Sequence, residues 1–179
     1  MRHFCGGAFP VAFSPVSYPD DKMACYALLL EQAAALMENI GHPLTNMANI
    51  SALLISALPE INWCGFYLMH EGALQLGPFC GLPACVRIPL GHGVCGTAAA
   101  QDAVLRVEDV HAFPGHIACD SASLSEIVVP LHHHERVIGV LDIDSPRRSR
   151  FDEMDEQMLR KLVSLMETYS DLSSARYTL

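Results

Sequence analysis

Basic residues are scarce in this chain: 11 Lys and Arg stand against 20 Asp and Glu, a formal charge of −9. Phosphates attract Lys and Arg, so the balance argues against nucleic acid or an anionic membrane as a partner. No apolar run approaches the roughly 20 residues that cross a bilayer. No secretory signal, internal repeat or internal linker is evident. Residues 1–19 hold one Arg and no acid, which faintly suggests a transit peptide. They lack the repeated Arg and amphipathic helix such peptides carry, so they read as a flexible N-terminal extension.

What the chain has in quantity is apolar surface and sulfur. Hydrophobic residues make up 51% of it, which places it among globular chains rather than disordered ones. At 179 residues it fits one domain that buries roughly two-thirds of its unfolded surface. Seven cysteines is an odd number, and with no secretory signal a reducing, cytoplasmic setting is expected. There, cysteines read as buried, metal-bound or reactive before they read as structural disulfides.

Residues 20–40, rich in Ala, Leu, Met and Glu, predict a helix stopped by Gly41-His42-Pro43. Pro43 opens a second helix, with Met47, Ile50, Leu54 and Leu58 at helical spacing, that ends before Pro59. The period then switches. Residues 62–70 predict a buried, aromatic-rich strand, Glu71-Gly72 a hairpin turn, and 73–76 a second strand. Short strands follow at 86–88 and 104–107, separated by a small-residue helix over 91–101. Residues 111–124 have no usable periodicity and form a long loop, a place where function commonly resides. Strands at 126–133 and 137–144 make a hairpin turning near His134-Glu135. A final helix begins near Phe151, with Met154, Met158, Leu162 and Leu165 on one stripe. The order predicts an α+β domain, helices covering one face of a mostly antiparallel sheet.

Three cysteines sit at turns: Cys85 in ACVRIP, Cys95 in GHGVCGTAA and Cys119 in HIACD. They are either small buried apolar residues or accessible thiols. Cys95 stands near a helix start, where the dipole favours a thiolate, and Cys119 lies in a polar loop before Asp120. A zinc set drawn from Cys80, Cys85, His111, His116 and Cys119 has irregular spacing and is disfavoured, so no metal is expected. His132-His133-His134 alternates faces along a strand and reads as a solvated strand end. Asp142 and Asp144 lie two apart and so share a face, and Glu126 opens the neighbouring strand. These acids are either a solvated edge or the lining of a cavity for an ammonium group, where one holds a proton at neutral pH. Trp63, Phe66 and Tyr67 either fill the core or wall that cavity. Gly91-x-Gly-x-x-Gly96 matches a nucleotide fingerprint only superficially, since no βαβ unit surrounds it.

Taken together, NWCGFYL, LGPFCGLPACVRIPLGHGVCGTAA, VEDVHAFPGHIACDSASLSEIVVPL and VIGVLDIDSP resemble the free methionine-(R)-sulfoxide reductases, collinearly over residues 21–165. GAF sensor domains share the VIGVL strand but not ACVRIP, GVCGTA and HIACD in succession. The resemblance implies a single GAF domain over 20–170, flanked by the 1–19 extension and a 171–179 tail. It implies about six antiparallel strands, helices on one face and a buried ligand pocket on the other. Carried over by motif, Cys119 is the nucleophile, Cys85 the principal resolving thiol and Cys95 a third cysteine that joins disulfide exchange. Glu126, Asp142 and Asp144 are the substrate-binding acids, and Trp63 and Tyr67 the aromatic wall. No bound cofactor is implied; thioredoxin is the external reductant, free methionine sulfoxide the substrate, and a homodimer the assembly. Cys5, Cys25, Cys64 and Cys80 are additions, and Cys80 is close enough in sequence to compete with Cys85. The rival class is a GAF ligand-sensing or redox-sensing module that performs no turnover.

Overall fold

The computed structural model describes residues 16–115 and 121–174. Helix α1 spans Lys22–Met37, with the Asp21 side chain accepting from the Ala24 amide at 2.8 Å as its N-cap. Helix α2 spans Pro43–Ala57 and starts on Pro43 as predicted. The strands are β1 (Trp63–His70), β2 (Ala73–Cys80), β3 (Arg87–Pro89), β4 (Leu105–Val107), β5 (Ser125–His133) and β6 (Arg136–Ser145). Helix α3 (Gly93–Gln101) lies between β3 and β4, and helix α4 (Glu153–Tyr169) follows β6. All strand pairings are antiparallel, in the order β3-β2-β1-β6-β5-β4.

Strand alternation divides the core in two. Cys64, Phe66 and Leu68 of β1, Ile127, Val129 and Leu131 of β5, and Leu141 and Ile143 of β6 face α1, α2 and α4. Trp63, Tyr67, Val128 and Val140 face the other way, against Ile88, Val94, Cys95 and Ala98 of the β3–α3 region. The three long helices cover one face as expected, and the short α3 roofs part of the other.

Strand β2 runs four residues beyond its predicted end at Leu76. Pro78 cannot donate to a ladder. Between the pairs Tyr67↔Leu76 and Gly65↔Phe79 the register shifts, so Gly77 and Pro78 together oppose Phe66. A proline inside such a bulge costs no ladder bond. Tyr18, from the stretch read as an extension, packs against the helix-side core, and Leu172, at the start of the predicted tail, is buried in it. No helix among the described residues is long and apolar enough to cross a membrane.

One polar lock lies beneath the helices. Asp155, fully buried in the first turn of α4, accepts from Lys22 Nζ at 2.6 Å, Tyr26 Oη at 2.7 Å and its capping partner, the Asp152 amide, at 2.8 Å. Arg150 Nη1 lies 3.3 Å away and is itself almost buried. Asp155→Ala would take the acceptor from the buried Tyr26 hydroxyl and one partner each from Lys22, which keeps Asp152 at 2.8 Å, and Arg150, which keeps the Pro59 carbonyl at 3.0 Å. The expected cost is about 3–5 kcal/mol, the scale for breaking a buried ion pair. It is read as a lower urea midpoint with an unchanged slope; a loss below 1 kcal/mol would show the lock to be dispensable.

Candidate active site

The register of the three central strands brings the sequence-predicted residues together. Trp63, Gly65 and Tyr67 stand opposite Asp144, Asp142 and Val140 of β6, and Glu126 and Val128 stand opposite Asp144 and Asp142 from the other side. Cross-strand partners share a face, so both aromatic residues and all three acids lie on the α3 side of the sheet. Cys95 arrives there from the first turn of α3. Gly96 makes that approach possible, because a Cβ there would lie 2.3 Å from the Pro89 carbonyl oxygen. Cys95 Sγ sits 3.6 Å from Glu126 Oε1. Cys95, Glu126 and Asp142 each offer a ligand atom, all within 4.8 Å of one another.

Burial dominates the electrostatics. Glu126 is raised well above its ordinary value by desolvation first and by the charges of Asp142 and Asp144 next. Desolvation pushes Asp142 up to about 6, while the neighbouring Cys95 thiol and Glu126 carboxyl hold it partly down. The Cys95 thiol is also raised well above its ordinary value, by burial and then by the charges of Asp142 and Glu126. The sequence pointed the other way for Cys95, toward a dipole-stabilised thiolate. The helix start is there, but a half-charge at its end loses to full desolvation beside carboxylates. The Tyr67 hydroxyl is raised for the same reasons, burial before the surrounding acids. Such a site can keep a proton on Glu126 at neutral pH while Asp142 is available to a cation.

Trp63 stacks on Tyr67 at 5.9 Å between centroids and on Phe79 at 5.4 Å. Its Nε1 donates to the Leu82 carbonyl at 3.1 Å, which ties down the segment leading to Cys85. Phe79 was missed in the sequence because it lies beyond the predicted end of β2, past the register shift at Gly77 and Pro78. Gly65 has no room for a side chain: a Cβ would lie 2.3 Å from Phe79 Cβ and 2.8 Å from the Trp63 ring. Gly65→Ala is therefore expected to cost about 1–3 kcal/mol by overpacking. Trp63 is the single tryptophan, so its emission should shift as the stack opens; unchanged emission and melting temperature would show that the stack tolerates the methyl.

Cys85 packs on this same side and is disulfide-bonded. Cys25, Cys64, Cys80 and Cys95 are free thiols. Cys119, the predicted nucleophile, and His116 lie outside the described residues. Cys80 packs on the helix side of the sheet, opposite to Cys85. Strand direction thus separates two thiols that are five apart in sequence, and it breaks up the irregular zinc set containing both. At the part-exposed end of β5, His132 Nε2 meets Asp102 at 2.7 Å and its Nδ1 meets Glu167 at 3.2 Å, linking β5 to the ends of α3 and α4.

An antiparallel six-stranded sheet with a thiol and three acids on its sheltered face defines a GAF domain equipped for chemistry rather than a bare scaffold. A model of the GAF domain matches residues 29–168. The free methionine-R-sulfoxide reductase of Escherichia coli is 55% identical over 147 residues, 82% of this chain and 89% of that one. The fRMsr of Staphylococcus aureus, solved in complex with substrate, is 51% identical with a TM-score of 0.78, covering 80% of this chain and 94% of that one. The free methionine-R-sulfoxide reductase of Neisseria meningitidis, also solved with its substrate, is 42% identical with a TM-score of 0.84, covering 87% and 94%. The chain belongs to the free methionine-(R)-sulfoxide reductases, a family built on the GAF domain.

Proposed function

We propose that this reductase converts free L-methionine-(R)-sulfoxide to methionine through a cysteine sulfenic acid, and that thioredoxin recycles it. The Cys119 thiolate attacks the sulfoxide sulfur, and the oxygen passes to Cys119 as methionine departs, leaving a sulfenic acid. Cys85 condenses with it, forming a disulfide and releasing the oxygen as water. An external dithiol restores both thiols by exchange. The developing negative charge on the sulfoxide oxygen calls for a proton, which Glu126 or Asp144 supplies, while Asp142 holds the substrate ammonium. Trp63 and Tyr67 wall the methyl thioether.

The observation that carries this reading is the buried Cys95–Glu126–Asp142 cluster beside stacked aromatics, with Cys85 on the same side. Carboxyl groups kept that far out of water are costly unless a cationic ligand or a proton-transfer role requires them. A pocket that grips both charged ends of an amino acid would also exclude methionine sulfoxide within a polypeptide. The test is NADPH consumption with thioredoxin and thioredoxin reductase, offering each sulfoxide epimer of free methionine in turn. Turnover of the R epimer alone is expected. No turnover with either, from folded and fully reduced protein, would return the chain to the ligand-sensing class.

A further inference from the structure

We propose that Cys95, Glu126 and Asp142 form a site for a thiophilic divalent cation, zinc foremost, and that an occupied site blocks the reductase. The blocking half rests on the function proposed above; the binding half does not. Among the described residues this is the one group of three Cys, His, Asp or Glu side chains whose ligand atoms converge, all within 4.8 Å. The separation of Cys95 Sγ and Glu126 Oε1, 3.6 Å, is close to the edge of a tetrahedron with about 2.3 Å to sulfur and 2.1 Å to oxygen. The three ligands come from α3, β5 and β6, so packed elements rather than a loop fix their spacing.

Independent of that spacing, Asp142 Oδ1 is buried without a hydrogen-bond partner, on a side chain only 6% exposed. A buried acceptor left unmatched is costly, and a cation is one group that removes the cost. The donor set decides which cation. Calcium needs six to eight oxygens and magnesium an octahedron, whereas zinc accepts thiolate sulfur and carboxylate oxygen together and needs only three protein ligands with a fourth position open. On binding, the sulfur and carboxyl protons leave to solvent and coordinate bonds replace them. The cation then occupies the acids to which the substrate ammonium would otherwise bind, which makes zinc and methionine sulfoxide competitors.

The test titrates reduced, metal-free full-length protein with Co²⁺ under anaerobic conditions, then displaces it with zinc. A thiolate-to-cobalt charge-transfer band is expected, retained in Cys80→Ser and in the double variant Cys85→Ser/Cys119→Ser, and absent in Cys95→Ser. Asp142→Asn should lose at least about tenfold in zinc affinity, a scale that even outer-shell changes reach. Zinc should raise the apparent KM for methionine sulfoxide, and a chelator should reverse it. A band that survives Cys95→Ser but disappears in the double variant would place the metal on the redox thiols and overturn the inference, as would no band at all. Metal-free protein that turns over but binds no cobalt defeats this inference alone. Protein that binds cobalt through Cys95 without ever turning over defeats the proposed function and leaves the metal site standing.

Discussion

Cys119→Ser is expected to lower turnover of free methionine-(R)-sulfoxide by about four orders of magnitude or more, the usual scale for removing a nucleophile. Melting temperatures of the variant and the wild type, both fully reduced, separate a chemical loss from a failure to fold. Cys85→Ser should behave differently. It still attacks, so one methionine per enzyme forms in a burst, after which a sulfenic acid accumulates that dimedone traps. Cys95→Ser should retain the burst. Its thiol is desolvated and faces carboxylates that push its ionisation upward, an environment that suppresses rather than creates a nucleophile. Rapid-quench kinetics of the three variants separate these roles. If Cys119→Ser kept its burst while Cys95→Ser lost it, the assignment of attack to Cys119 would be wrong, and the raised thiol would have to be activated by substrate binding.

Much of this site could be read from residue spacing, and the reason is geometric. Asp142 and Asp144 share a face because strands have a period of two. The two-residue connection alone would set Glu126 against Ile143; the register shift between Leu131↔Gly139 and His132↔Val137, which leaves Ile138 as an extra residue, moves Glu126 opposite Asp144 and could not be read from the sequence. The rest of what could not be read depends on contacts distant in sequence. The Asp155 lock joins residues 133 apart in Lys22 and 129 apart in Tyr26, with no local pattern to announce it. The environment of Cys95 was misjudged because a helix start is visible in sequence, whereas the depth at which the helix is buried is not. Cys80 and Cys85 looked like neighbours until β2 was seen to continue through a bulge, which puts the last residue of the strand on the helix side.

The second large effect concerns Glu126. Glu126→Gln removes a proton donor while keeping the shape of the protonated acid, so kcat should fall by about 10²–10⁴-fold. Stability should move the other way. Burial raises the folded-state value of Glu126 above its ordinary 4.5, so the folded protein holds a proton that the unfolded chain has released. Its contribution is present in full below 4.5, declines as pH rises toward the raised value, and is gone above it. Asp142 adds a shorter decline, between its ordinary 3.8 and about 6. Each group acting alone can tilt the unfolding free energy downward by up to about 1.4 kcal/mol per pH unit. Glutamine does not titrate, so the variant should lose the steeper part of this decline and exceed the wild type in stability at pH 8. Urea unfolding across pH 5–9, paired with the kcat profile, measures both. Wild-type kcat in Glu126→Gln would remove Glu126 as the donor and leave Asp144. An unchanged pH slope would mean that the carboxyl ionises freely in the folded protein, and that the cluster is wetter than its burial implies.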